Sequence, residues 1–367
     1  MNILEATERY ERWLSKQTAI VAKDLRKKKE KMAQHPFPFF RGTFYRWVQL
    51  WPQLSTDFSE APSVRCVGDL HLENFGTWRD AEGRLIWGVN DFDEAYRLPY
   101  VFDLVRLVAS IILARQANIL TVDPVAGCER ILSGYRESFA ASGKPFVLAE
   151  AHPELREMAL KSLANPITFW QKVEEEKNRK ESTDISNARK RASKILKQSL
   201  SMAGPAVKVL PRVAGVGSLG RPRFVAIAEW NGGRIAREAK ALVPSACVWL
   251  AGIKPQPESL YETMVNRAVR MPDPFVEIHK RWIVRRIAPD CVRIEAGGFQ
   301  NGLDEPLLLN AMGWETANIH LGTLKSRQAV THHLKKLQDD SLFAVAERMV
   351  EATVRDWEEF TAIKGRD

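Results

Sequence analysis

Apolar positions recur at helical spacing through the first part of the chain and at strand spacing in its middle. Thr7 to Gln34 reads as one helix carrying Tyr10 and Trp13, and Pro36 and Pro38 are expected to stop it, since proline lacks an N–H and clashes with the preceding turn. Phe44 to Trp51 resumes a helix whose aromatics suit a core. Tyr100 to Ala117 places Phe102, Val105, Val108, Ala109 and Ile112 on a helical period and should be buried. Further helices are expected from Asp123 to Ser142, from Pro153 to Leu163 and from Asp339 to Phe360, the last with Leu342, Val345, Met349, Val350, Val354 and Trp357 on one face. By contrast, Gln171 to Leu200 is dominated by Glu, Lys, Arg and Ser with little apolar pattern before Ile195. That composition predicts a solvated linker or a mobile helix.

The period changes at Val207. Strands are expected at Val207–Leu210, Phe224–Ala228, Arg234–Lys240 and Trp282–Ile287, with Asn231-Gly232-Gly233 as a hairpin turn between the second and third. Between the first two lies Gly215-Val216-Gly217-Ser218-Leu219-Gly220, of the form G-x-G-x-x-G. A dinucleotide loop of that form opens a helix, whereas Arg221-Pro222-Arg223 and a strand follow here, the context of a kinase glycine-rich loop. In such a sheet a lysine on the third strand reaches the nucleotide phosphates. Lys240 holds that position, and its usual partner would be a glutamate on the next helix, Glu258 or Glu262.

Composition narrows the class without naming an activity. The 367 residues are 45% hydrophobic and 27% charged, ordinary for a globular chain long enough for two lobes. The longest apolar run, Val101 to Leu113, is broken by Asp103 and Arg106, short of the ~20 residues a bilayer requires. Met1 to Tyr10 is polar with no apolar block behind it, so no signal peptide is expected. Cys66, Cys128, Cys247 and Cys291 show no C-x-x-C spacing, which argues against a zinc site or disulfide framework and for a reducing cytoplasm. A net charge of +9 favours polyanions such as nucleotides or phosphorylated substrates. The Lys23 to Lys31 run reads as a solvated helix face, with an anion-binding patch as the alternative.

The chemistry is concentrated between Val64 and Ser110. Gly68-Asp69-Leu70-His71-Leu72-Glu73-Asn74 follows the apolar Val64–Val67, and Asn90-Asp91-Phe92-Asp93 follows Leu85–Val89, so each polar cluster sits at the end of a short strand. An Asp with an Asn five residues on, then a second Asp after a strand, is the catalytic-loop and metal-Asp arrangement of phosphoryl transfer. Asp69 would orient or deprotonate the attacking hydroxyl, and Asn74, Asp91 and Asp93 would supply oxygen ligands to Mg²⁺. Asp103 is either a charge favourable to a helix N-terminus or an anchor for the catalytic loop.

These residues also carry a family resemblance. Gly68 to Asn74 resembles the G-D-x-H-x-x-N loop of the aminoglycoside phosphotransferase and choline kinase branch of the protein-kinase-like fold, in which an Asp placed like Asp103 anchors the loop. Pro38-Phe39-Phe40-Arg41-Gly42, Gly68 to Gly76, Asn90 to Ala95 and Asp103-Leu104-Val105-Arg106-Leu107 resemble, more narrowly, the bacterial domain-of-unknown-function 2252 family. The resemblance implies a kinase-like fold and no particular substrate. In an ordinary kinase the glycine loop precedes the catalytic loop, and here it follows. Ala311 to Leu324, with His320 near its end, resembles the helix that leads into the catalytic loop of aminoglycoside phosphotransferases, so a circular permutation restores the order.

The expected fold is therefore α+β, protein-kinase-like and two-lobed, circularly permuted, with a small antiparallel sheet lobe and a large helical lobe. Residues 1–63 would form an N-terminal helical segment, 64–200 the catalytic-loop part of the helical lobe, 201–300 the glycine-loop, β-rich nucleotide-binding lobe, and 301–367 the C-terminal helices. The expected activity is Mg²⁺- and ATP-dependent transfer of a phosphoryl group to an unknown hydroxyl acceptor, a small molecule or a protein. Asp69, Asn74 and Asp91 would be catalytic, Gly215, Gly217, Ser218, Gly220 and Lys240 would bind the nucleotide, and Asn74, Asp91 and Asp93 would hold the metal. A pseudokinase is the nearest alternative, although both Asp69 and Asn74 are present. A binuclear metallophosphoesterase needs more clustered histidines than the seven present. A nucleic-acid-binding module lacks a reading motif.

Overall fold

Four α-helices make up the first 54 residues. The computed structural model describes residues 1–175, 182–204, 206–254, 260–294 and 304–364. It divides the expected helix over residues 7–34 into α1 (Ile3–Gln17) and α2 (Ala22–Gln34). Thr18 between them is extended, and the Val21 N–H is bonded to the Gly220 carbonyl at 2.9 Å. Thr18, Ile20 and Val21 are β-branched and weak helix formers, so this tertiary contact readily breaks the helix. Pro36 stops α2 but also starts α3 (Pro36–Gly42), at a position where its missing N–H costs nothing. The His35 ring caps that start by accepting the Phe37 N–H at 3.2 Å. In α4 (Phe44–Leu54), Phe44, Tyr45, Trp47, Val48 and Trp51 are buried.

The segment with the polar clusters folds as short antiparallel strands. β1 (Ser63–Cys66) pairs with β4 (Tyr96–Pro99), while β2 (Phe75–Arg79) and β3 (Leu85–Val89) form a hairpin extended by β5 (Phe146–Val147). Helix α5 (Val101–Gln116) then runs through the centre, with every residue from Val101 to Ala114 buried. α6 (Pro124–Ala141) is capped by Asp123, whose carboxylate accepts from the N–H groups of Val125 and Ala126. α7 (Leu148–Ala151), α8 (Pro153–Lys161) and α9 (Pro166–Glu174) follow.

Where a solvated linker or a mobile helix was expected, α10 (Thr183–Ser199) is a helix packed on the large sheet. Ile185, Ala188, Ala192 and Leu196 form a buried stripe against the large sheet. The stripe is narrow and half alanine, so the charged residues around it hide its amphipathic pattern. Residues 176–181 of the expected linker lie outside the described residues.

The large sheet has the order β6-β7-β8-β10-β9, all antiparallel, from β6 (Lys208–Pro211), β7 (Arg223–Trp230), β8 (Gly233–Ala241), β9 (Glu277–His279) and β10 (Trp282–Arg286). Trp230 pairs with Gly233 across Asn231 (φ 49°) and Gly232 (φ 82°), the two left-handed positions of a type I′ hairpin. α11 (Ala246–Ala251) and α12 (Leu260–Arg267) lie between β8 and β9. α13 (Asp304–Leu321), α14 (Arg327–Leu334) and α15 (Asp339–Lys364) complete the chain.

The architecture is α+β, with small antiparallel sheets and a helical body. One apolar core runs from Ala6 in α1 through α5 and α6 to Val350 in α15. α13 and α6 approach backbone to backbone. A Cβ at Gly134 would lie 1.9 Å from the Asn310 carbonyl oxygen, and one at Gly313 would lie 2.0 Å from that of Ile131. Among the described residues, no helix is long and apolar enough to cross a membrane.

Candidate functional site

The loop after β1 is held from below. The Asp103 carboxylate, in the first turn of α5, accepts the N–H groups of Val67 (2.7 Å) and Gly68 (3.0 Å). It also meets His320 Nε2 at 3.0 Å, while His320 Nδ1 faces the Tyr135 hydroxyl at 2.8 Å. Asp103 thus ties the loop to α5 and α13. Cys66 completes a close Cys66–Asp103–His320 group, but its thiol donates to the Leu98 and Pro99 carbonyls, both at 3.6 Å. Hydrogen bonds therefore account for the group. Gly68 adopts φ 83°, and a Cβ there would lie 2.2 Å from the Glu94 carbonyl oxygen, so only glycine fits between the two polar clusters.

The second cluster meets the first through Asn74. Its amide Nδ2 donates to the Asp69 carbonyl (3.1 Å) and the Asp91 carbonyl (3.2 Å), so the side-chain oxygen is the part left to face the cleft. Lys240 Nζ lies 2.7 Å from an oxygen of Asp91 and 2.7 Å from one of Asp93. Burial opposes the charge on Asp91, but Lys240 and Arg285 outweigh it and hold that carboxyl well below the usual range. Burial and the neighbouring Asp91 push Asp93 up. Asp93 Oδ1 is buried without a hydrogen-bond partner among the described residues. An oxygen so placed fits a hard cation.

Asp69 is paired with a residue to which the sequence reading gave no role. Arg106, fully buried in α5, donates to Asp69 Oδ1 through Nε at 3.0 Å and also through Nη2. Its guanidinium stacks over the rings of Phe40 (4.0 Å), Phe44 (4.9 Å) and Trp47 (4.9 Å). An arginine inside the apolar run Val101–Leu113, which only Asp103 also interrupts with a charge, was the available signal.

The glycine loop connects β6 to β7 and is followed by a strand, as its context predicts. Gly215 (φ 72°) and Gly220 (φ 95°) take left-handed backbone conformations, and the Ser218 hydroxyl accepts from Arg223 Nη2 at 2.6 Å. The loop folds over the first cluster: a Cβ on Gly217 would stand 3.2 Å from the Arg41 carbonyl oxygen and 3.5 Å from Asp69 Oδ2. Gly215, Gly217, Ser218, Asp69, Asn74, Asp91 and Asp93 all line one cavity of about 380 Å³. Gly220 instead packs against Leu25, and Lys240 is buried behind the two carboxylates.

Lys240 sits on the third strand as expected, but its ion pairs go to Asp91 and Asp93 and not to a helix glutamate. Glu262 is exposed on α12, and Glu258 lies outside the described residues. The buried glutamate of this sheet is Glu238, also on β8. Arg223 (3.0 Å), Arg285 (3.1 Å) and Arg212 (2.6 Å) converge on it. Burial opposes its charge, yet these cations hold its carboxyl far down. Arg221 similarly joins Asp93 and Glu94, each at 3.2 Å. Alternation within a strand shows which residues share a face, but it does not show which loop that face meets, so these arginines escaped the sequence reading.

Residues 21–209 match the family described as an uncharacterized protein conserved in bacteria (DUF2252). No curated protein and no solved structure matches the chain.

Proposed function

Taking as premise that the chain belongs to the DUF2252 family of uncharacterized bacterial proteins, we propose that it is a kinase-like phosphotransferase. In this reading it moves a phosphoryl group from ATP to a hydroxyl acceptor on a circularly permuted kinase-like fold. The observation that carries the reading is the meeting of Asp69, Asn74, Asp91, Asp93 and the 215–218 loop around one cavity, with Lys240 ion-paired to both Asp91 and Asp93.

The donor set suits Mg²⁺. Asn74 would offer its amide oxygen and Asp91 and Asp93 their carboxylates, while the unpartnered Asp93 Oδ1 is the atom most in need of a cation. When bound there, the ion would neutralise charge on the nucleotide phosphates. The backbone of Gly215 and Gly217 lets phosphates approach closely, and Arg212, Arg223 and Arg285 supply positive charge along the cavity. Asp69 orients the acceptor hydroxyl and takes its proton as the new P–O bond forms and the bond to the departing ADP breaks. Asn74, bonded to the backbone on either side, keeps the two clusters in register.

A nucleotide-binding pseudokinase is the second reading, favoured by one observation: Asp69 is already ion-paired to Arg106. Calorimetry with ATP and MgCl₂ tests the proposal. Asp91→Ala should abolish Mg²⁺-dependent ATP binding, and unchanged affinity in that variant would refute the metal assignment. Slow ATP hydrolysis by the wild type separates an enzyme from a pseudokinase.

A further inference from the structure

Lys28 belongs to the basic run of α2, yet its side chain is turned inward and buried. Its Nζ donates to the Gly217 carbonyl at 3.2 Å, and no carboxylate lies within ion-pair distance of it among the described residues. An ammonium carries three donors, and a neutral carbonyl compensates poorly for the hydration lost on burial. Burial, with the Arg221 charge, pulls it down to about 8, as befits a cation held without a counter-ion.

Arg41, at the end of α3, is a second buried cation whose pairing is incomplete. It is buried, and its Nε has no hydrogen-bond partner among the described residues. Its Nη1 reaches Glu73 Oε2 at 2.7 Å, the same oxygen that Arg293 Nη1 approaches at 3.0 Å. One carboxylate therefore serves two guanidiniums. Gly217 joins these groups, since its carbonyl accepts from Lys28 and its Cα faces the Arg41 carbonyl and Asp69 Oδ2. Lys28, Arg41, Gly217 and Asp69 all line the cavity.

We propose that Lys28 and Arg41 form a phosphate subsite against the glycine loop that receives the terminal phosphoryl group of the nucleotide, beside Asp69. The inference rests on the phosphotransferase reading and deepens it: Asp91 and Asp93, backed by Lys240, mark the place of the inner phosphates, and these two cations from the N-terminal helices mark the place of the transferred group. The Lys23–Lys31 run is then more than a solvated face, because one of its lysines completes the site.

The test is calorimetry of wild type, Lys28→Met and Lys28→Arg with ATP, with ADP and with inorganic phosphate, each with MgCl₂, after thermal melts have shown which variants fold. Lys28→Met should weaken ATP by about tenfold or more, the scale of a hydrogen bond to a charged group, and leave ADP within about twofold. Lys28→Arg should restore most of the loss for ATP. Equal losses for ATP and ADP, or no loss for ATP, would overturn the subsite. If the wild type binds neither nucleotide, the phosphotransferase reading fails, and inorganic phosphate then decides the subsite by itself. Binding weakened about tenfold in Lys28→Met sustains a phosphate site, and binding that is absent or unchanged removes it. Should Lys28→Met not fold, Lys28→Gln, which keeps a neutral donor, is held to the same comparison.

Discussion

Arg106 grips a single oxygen of Asp69, Oδ1, and leaves Oδ2 on the side of Gly217. The guanidinium is itself fixed by Phe40, Phe44 and Trp47, so the carboxylate is oriented by the aromatic core of the N-terminal helices. In a loose phosphoryl-transfer transition state, positioning of the acceptor contributes more than strong basicity. A carboxylate held at one oxygen, with the other free of hydrogen bonds among the described residues, suits that task.

Asp69→Asn should therefore leave ATP affinity within a few-fold while lowering turnover by roughly 10²-fold or more, the usual scale of a general-base contribution. Arg106→Lys keeps the charge but loses the planar fork, and should lower turnover while leaving ATP affinity unchanged. Parallel assays of ATP hydrolysis and nucleotide binding check both. A variant that loses affinity and turnover together would move Asp69 from the acceptor side to the nucleotide side.

Gly217→Val tests the loop. Its Cβ would press on the Arg41 carbonyl and approach Asp69, and the branched side chain would fill space between the loop and the first cluster. Nucleotide affinity should fall at least tenfold with little change in melting temperature, because the loop lies at the cavity and not in the core. Retained affinity would make the segment a plain connection between β6 and β7.

Glu315 on α13 predicts a pH dependence of stability. It accepts the Val89 N–H at 3.2 Å and the Asn318 amide at 3.0 Å, and burial, only partly offset by Arg270, pushes its carboxyl up to about 7. A folded-state value above the unfolded one means that the native state binds the extra proton. The associated stability is thus fully present below about pH 4.5 and is lost as pH rises through 7. A rise of this size corresponds to about 3 kcal/mol. Wild type should lose stability between pH 5 and pH 8 relative to Glu315→Gln, measured by urea denaturation. Parallel pH profiles for the two proteins would show that Glu315 is not the group responsible.

Much of the fold was legible because local rules governed it. Asn231-Gly232 specifies its hairpin through two left-handed residues, and α5 announces its burial through apolar residues on all sides. The break between α1 and α2 was not legible, because a bond to Gly220 two hundred residues away decides it. Nor was the packing of α10, whose alanine stripe becomes a core face only when the sheet lies against it.

The same division runs through the site. Sequence alone determined which residues carry the candidate chemistry: two polar clusters at strand ends, a glycine loop followed by a strand, and a lysine on the third strand. Those are local features, set by the residue types that turns and strands accept and by the oxygen ligands such turns present. Only the tertiary structure decided the partners. It paired Lys240 with Asp91 and Asp93, Asp69 with Arg106, Asp103 with the loop and His320, and Lys28 with the carbonyl of Gly217. A buried charge takes whichever opposite charge or dipole the packing brings within hydrogen-bond range, and that depends on how helices and sheets stack and not on spacing along the chain.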